Sequence, residues 1–284
     1  MKVIKRVLVK IIQYLFNDLR EPKFIIFEKL YLLLIANKNE RNIYQLINKG
    51  FFKPELNCKD EVSKINLNIS KQNPTRSTRN IFEYNIDSDT QKIIKKLFNE
   101  KLYEVISKIS DSYNQKIFID NIYIKRNYGY NEMIGKKLKK KEDEHFNNYF
   151  HYDGNTCNFF KLFINLHDTF ENQGPLNFFS KSDSKKFIKE SNYNSRLNYN
   201  HLNEVDYLNI NTGKKGDMLF VNTTNCLHRA SVPEPDKYRD MLFVSFIATN
   251  KLQSSNDLFE LEKQNENFWK YSSACKFVKE NTKP

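Results

Sequence analysis

At residue 116 the apolar period of this chain changes from 3.6 to 2, and the change lasts to residue 248. A period of 2 belongs to strands, whose successive side chains face opposite sides; a period near 3.6 belongs to helices. Strand-like runs fall at 116–126, 149–158, 159–166, 176–179, 207–211, 217–221, 226–231 and 238–248. Eight strands in succession suit a jelly roll. A polar stretch at 182–199 interrupts them and reads as a lid or surface excursion.

Upstream the pattern is helical. Helices are expected from Pro22 to about residue 34 and over 40–48, the latter stopped by Gly50. Residues 57–83 are polar and irregular, and their Arg76 and Arg79 read as part of a solvated loop, with an anionic substrate as the alternative. After Asp87-Ser88-Asp89, one helix is expected, its stripe running from Ile93 and Leu97 to Ile106 and Ile109. A length of 284 residues suits one large domain with a helical extension. Its expected division is a helical extension over 1–80, a β domain over 81–250 and a helical tail over 251–284 that packs on it.

Within the strands, chemistry concentrates at Phe150-His151-Tyr152-Asp153-Gly154. Residues i and i+2 of a strand share a face, so His151 and Asp153 project together. With His228 they offer two imidazoles and a carboxylate, the ligand set of non-haem Fe(II) oxygenases with open positions. Arg239 follows eleven residues later within a strand-like run. A buried guanidinium there offers a planar fork to a carboxylate.

His151-x-Asp153, then His228, then Arg239 resembles the Fe(II)/2-oxoglutarate-dependent dioxygenases, and most of all their phytanoyl-CoA dioxygenase-like branch. Two further stretches carry the branch resemblance: 162–176, ending Asn172-Gln173-Gly174-Pro175-Leu176, and Gly216-Asp217-Met218-Leu219-Phe220. The resemblance implies a mainly β fold with flanking helices, a double-stranded β-helix (a jelly-roll, cupin-like barrel). It implies that His151, Asp153 and His228 hold Fe(II), and that Arg239 pairs with the distal carboxylate of 2-oxoglutarate. Phe163 stands where relatives place an aromatic beside 2-oxoglutarate, or is simply core. Met241 replaces the Ser that some branches carry two residues after the arginine; Tyr123 and Lys125 are candidates for that second partner. The implied activity is oxidation by dioxygen of a small molecule, with release of succinate and CO2. Because Asp153 is kept, hydroxylation is expected rather than halogenation. A catalytically inactive barrel acting as a binding or scaffold module is the alternative.

The rest of the sequence is less specific. A net charge of +12 comes from 37 lysines and 9 arginines and reads as AT-rich drift or as a preference for an anionic partner. No aromatic-interleaved basic stripe points to nucleic acid. The lysines of 136–141 lie just before the metal strand, as a solvated face or a substrate clamp. Cys58, Cys157, Cys226 and Cys275 show no paired spacing, which suits a reducing, cytoplasmic setting. Residues 2–16 form a basic amphipathic pattern, expected to pack with Ile11 buried; peripheral membrane contact is the less favoured alternative. His145, His167 and His201 need no ligand role.

Overall fold

The computed structural model describes residues 41–56, 58–78, 80–113, 117–129, 149–153, 159–191 and 205–248, together with positions 11, 26, 259 and 260. The expectations for the lysines of 136–141, for His145 and His201 and for the tail over 251–284 lie outside these residues, the pair 259–260 excepted. So does the 2–16 helix except for Ile11, which is 48% exposed rather than buried.

Among the described residues, eleven strands form two antiparallel sheets. The larger contains β1 (Phe51–Phe52), β2 (Thr75–Thr78), β3 (Ile81–Tyr84), β4 (Ile117–Tyr128), β5 (Phe159–Asn165), β8 (Met218–Val221), β10 (Tyr238–Ala248) and β11 (Phe259–Glu260). Its order is β1-β8-β5-β10-β4-β3-β2, with β11 also paired to β4. The smaller is β7 (Asn209–Ile210), β6 (Leu176–Phe178) and β9 (His228–Ala230), in that order. Five helices accompany them: α1 (Arg41–Asn48), α2 (Lys59–Ile69), α3 (Ser88–Leu97), α4 (Glu100–Tyr113) and α5 (Lys181–Glu190).

The alternation of the long strands sorts their side chains into two cores. Ile122 and Ile124 of β4, Leu162 and Ile164 of β5, and Leu242 and Val244 of β10 face α1–α4 and join Val62, Ile94 and Ile106 in one buried cluster. The other face sends Phe163, Leu219 and Met241 against Leu176 and Phe178 of the smaller sheet. Because both faces are covered, β10 reads as nearly continuous burial. Truncating any of these buried aliphatic residues costs about 2–5 kcal/mol, a large share of a domain's stability.

Two expectations upstream are corrected. Residues 57–83 are not an irregular loop: α2 buries Val62, Ile65 and Ile69, and β2–β3 is a hairpin that extends the sheet through β4. The i, i+3, i+7 spacing of those three apolar residues was masked by the Asn and Lys residues between them. The 87–109 stretch is two helices, not one. Asp87 caps α3 by accepting from the Thr90 N–H, and Asn99 accepts from the Leu102 N–H to start α4 afresh. Asparagine favours such a cap over a helix interior. Of the expected 149–158 strand only 149–153 is described, and within it His151 makes an isolated bridge to His228.

Candidate metal centre

His151 and His228 face each other through an isolated antiparallel bridge, each N–H donating to the other's carbonyl at 3.0 Å. Two residues on, the Asp153 N–H donates to the Thr223 carbonyl at 3.0 Å. Thr223 lies in a buried polar turn, 222–225, closed by the Cys226 N–H on the Asn222 carbonyl. The turn that leads into β9 therefore fixes the carboxylate strand as well as the second histidine.

The side chains converge. His151 Nε2 is 4.0 Å from Asp153 Oδ1, and His228 Nε2 is 3.9 Å from Asp153 Oδ2. One ligand atom from each residue lies within 4.8 Å of the others. His151 Nδ1 contacts the Tyr149 carbonyl at 2.7 Å, and His228 Nδ1 the Cys226 carbonyl at 3.1 Å. A carbonyl can only accept, so each Nδ1 donates there, and an imidazole held in this way turns its Nε2 toward the site. Orientation of ligand histidines by such hydrogen bonds is the usual support of a metal site. Two neutral imidazoles and a carboxylate, opening on a cavity, fit a first-row divalent ion with positions left for other ligands. Burial pushes the Asp153 acid up, but the Lys161 ammonium at 2.7 Å, then the histidine pair, hold it well below the usual carboxylate range.

The cavity measures about 290 Å³. Its lining includes the triad, Arg239, Tyr123, Lys125, Phe163 and Phe243, along with Asp120, Asn121, Lys161 and Ser245. Arg239 is 3% exposed. Its Nη1 donates to the Gly174 carbonyl, and its Nε finds no partner. Burial pushes the guanidinium down to about 10, only partly countered by the charge of Asp240. Gly174 has φ +67°, and a Cβ there would collide with the backbone of Ser231 and Pro233. The Asn-x-Gly-Pro-Leu re-entry thus delivers a carbonyl to the arginine at a position where only glycine fits. An under-partnered buried cation beside an open cavity fits a carboxylate ligand.

Phe163 is buried in the inter-sheet core, edge-on to Phe243 at 5.4 Å, and it also lines the cavity. Tyr123 and Lys125 share the cavity with Arg239, and Lys125 Nζ sits 4.2 Å over the Tyr123 ring. Burial lowers the Lys125 ammonium, opposed by Glu83 at 3.7 Å. Cys226 is a fully buried packing residue beside His228. Arg229 points the other way, over the Phe150 ring at 4.7 Å. His167 accepts from the Asp240 N–H at 2.9 Å and is structural.

Sequence reasoning missed Lys161, Glu83 and Asp120. Lys161 was findable, because it shares the inward parity of Phe159 and Phe163 on β5. Asp120 was not. It sits where the β10–β4 register slips, Ser245 pairing with Asn121 and Phe246 with Ile119. The extra residue of this bulge turns Asp120 to the cavity beside Asn121, a displacement that parity counting cannot see.

No family model and no curated protein matches this chain. Solved structures that this chain matches include HygX from Streptomyces hygroscopicus with nickel and 2-oxoglutarate bound, at 15% identity and TM-score 0.48, covering 82% of this chain and 94% of that one. The non-heme alpha ketoglutarate dependent epimerase SnoN from nogalamycin biosynthesis matches at 11% identity and TM-score 0.47, covering 74% and 82%. The nickel complex of ThoJ, a non-heme monooxygenase, matches at 10% identity and TM-score 0.45, covering 78% and 83%.

Proposed function

We propose that this chain is an Fe(II)- and 2-oxoglutarate-dependent oxygenase built on a double-stranded β-helix, hydroxylating a small-molecule substrate. The observation that carries the reading is the pairing, in one cavity, of the His151–Asp153–His228 cluster with the buried, under-partnered Arg239. The phytanoyl-CoA dioxygenase-like branch is supported by the Gly174 carbonyl, which the branch-like re-entry places on Arg239.

In this reading His151, Asp153 and His228 hold the metal through Nε2, carboxylate oxygen and Nε2. When bound, the metal and co-substrate supply the oxidising chemistry, in which 2-oxoglutarate and dioxygen yield succinate, CO2 and an oxidised substrate. The protein's residues bind, orient and exclude water. Arg239 takes the distal carboxylate of 2-oxoglutarate, offsetting the cost of burying both charges. Tyr123 and Lys125 stand on the same wall as further donors to it. Phe163, Phe243 and Leu176 keep that end apolar, which strengthens the ion pair. Asp120, Asn121 and Ser245 give the cavity a polar margin suited to a substrate with hydroxyl or amine groups.

Anaerobic calorimetry of 2-oxoglutarate into Fe(II)-loaded protein tests the assignment. Saturable one-to-one binding that depends on the metal is expected. Binding of equal strength to metal-loaded and chelator-stripped protein would overturn it.

A further inference from the structure

We infer that Lys161 competes with the metal for Asp153 and so sets how tightly the centre holds its ion. The inference rests on the metal-dependent reading above and concerns a residue that reading leaves without a task. Lys161 lies mid-strand on β5, on the inward face with Phe159 and Phe163. Its Nζ is 2.7 Å from Asp153 Oδ2, the same oxygen that lies 3.9 Å from His228 Nε2. The two side chains are 23% and 18% exposed. Among the described residues Asp153 is its only ion-pair partner.

An ammonium donates three hydrogen bonds and cannot act as a ligand while protonated. A divalent ion on Asp153 and the two histidines therefore meets a like charge a few ångströms away, in a partly buried site where solvent screens weakly. The lysine also offsets the Asp153 charge in protein without metal. Removing it raises the free energy of the stripped protein and relieves repulsion in the loaded one. Both changes act in one direction. A neutral residue at 161 tightens metal binding, even though a positive side chain is the ion-pair partner of a metal ligand.

The test is an anaerobic competition titration of Co(II) and Fe(II) against a fluorescent chelator, with wild type, Lys161→Met, Lys161→Arg and Asp153→Ala. Lys161→Met is expected to bind at least about tenfold tighter, which is about 1.4 kcal/mol. Lys161→Arg keeps the charge and stays close to wild type; Asp153→Ala loses binding. The melting temperature of chelator-stripped Lys161→Met falls below that of wild type and is regained on adding Co(II). Equal or weaker metal binding by Lys161→Met overturns the inference, as does a tightening by Lys161→Arg of the same size. Should Lys161→Met not fold, Lys161→Gln is held to the same criterion. Wild type that binds no metal removes the metal-dependent reading itself; wild type that binds, with the neutral variants unchanged, removes only the role of Lys161.

Discussion

Strand β10 carries two neighbouring charged residues, Arg239 and Asp240, that meet opposite fates on its two faces. On the outer face Asp240 takes a two-pronged pair from Arg126 of β4, at 2.7 Å from Nε and 2.6 Å from Nη2. Arg126 also donates to the Tyr128 hydroxyl at 3.1 Å and lies 4.0 Å over the Tyr238 ring. Burial alone would lower its guanidinium, but the Asp240 hydrogen bonds and charge more than offset this and raise it. On the inner face Arg239 is more deeply buried and has one carbonyl. A saturated ion pair ties strands together. A buried cation with an idle donor costs stability.

The comparison breaks first on ligand affinity. On the proposed pairing of Arg239 with the distal carboxylate of 2-oxoglutarate, Arg239→Ala leaves that carboxylate unpaired, an expected loss of about 2–5 kcal/mol. That is roughly 30-fold to several-thousand-fold weaker binding by calorimetry on metal-loaded protein. Arg239→Lys recovers part of it, since a point charge cannot reproduce the fork. Metal affinity without 2-oxoglutarate stays unchanged. Equal 2-oxoglutarate affinity in wild type and Arg239→Ala would make the inner arginine a structural residue like the outer one.

The outer pair is expected to fail the other way. Asp240→Asn leaves Arg126 half-paired and costs about 3 kcal/mol, the low end for a buried pair because Arg126 keeps 20% of its side-chain exposure. Urea unfolding measures it. The affinity for 2-oxoglutarate, measured on the folded variant, should change much less, because the Asp240 carboxylate accepts from Arg126, which does not line the cavity, and reaches Arg239 only through its charge.

This division was only half legible in the sequence. Parity along 238–248 places Arg239, Met241 and Phe243 on one face, as the structure does, and the strand bounds agree with β10. Parity also brings His151 and Asp153 to one side. It cannot say which face is inside, nor which partner lies across the sheet, because strand register is a long-range property. Arg126 and Asp240 are 114 residues apart and opposite each other only through the β10–β4 register. Glu83 was hidden for the same reason: it lies on a four-residue strand outside the expected β run and meets Lys125 only through the β3–β4 register. Asp120 needs the bulge as well. What the local pattern carries is periodicity; what it lacks is who sits opposite.

A smaller effect sharpens the inner face as a place of charge held against burial. Asp153 is depressed below the ordinary carboxylate range of about 3.9. A depressed acid stabilises the fold above its unfolded value, and that contribution is lost as pH falls toward the folded value. The difference in melting temperature between wild type and Asp153→Asn, both without metal, should therefore be largest above about pH 4 and shrink as pH drops to 3 and below. A difference that grows on acidification contradicts the ion-pair account of Asp153 and Lys161.

The smallest effect is the one that separates the two arginines most cleanly. Arg239→Met keeps the length of the side chain, removes the buried charge and sets an apolar group beside Met241 and Phe243. It loses one charge-assisted hydrogen bond to the Gly174 carbonyl, worth about 1.5–3 kcal/mol, against a larger relief from no longer desolvating a guanidinium with an idle Nε. The net expectation is a gain of about 1 kcal/mol, or roughly 2–4 °C in melting temperature for a domain of this size. With metal and 2-oxoglutarate the ranking reverses. Ligand at one hundred times its dissociation constant adds about 2.7 kcal/mol to wild type and little to the variant, so the melting curves exchange order. Arg126→Met on the outer face gains nothing in either condition, because it strands Asp240. Differential scanning calorimetry of both variants, with and without 2-oxoglutarate, reads all four cases. Loss of stability in Arg239→Met without ligand would show that the inner guanidinium, like the outer one, already has what it needs.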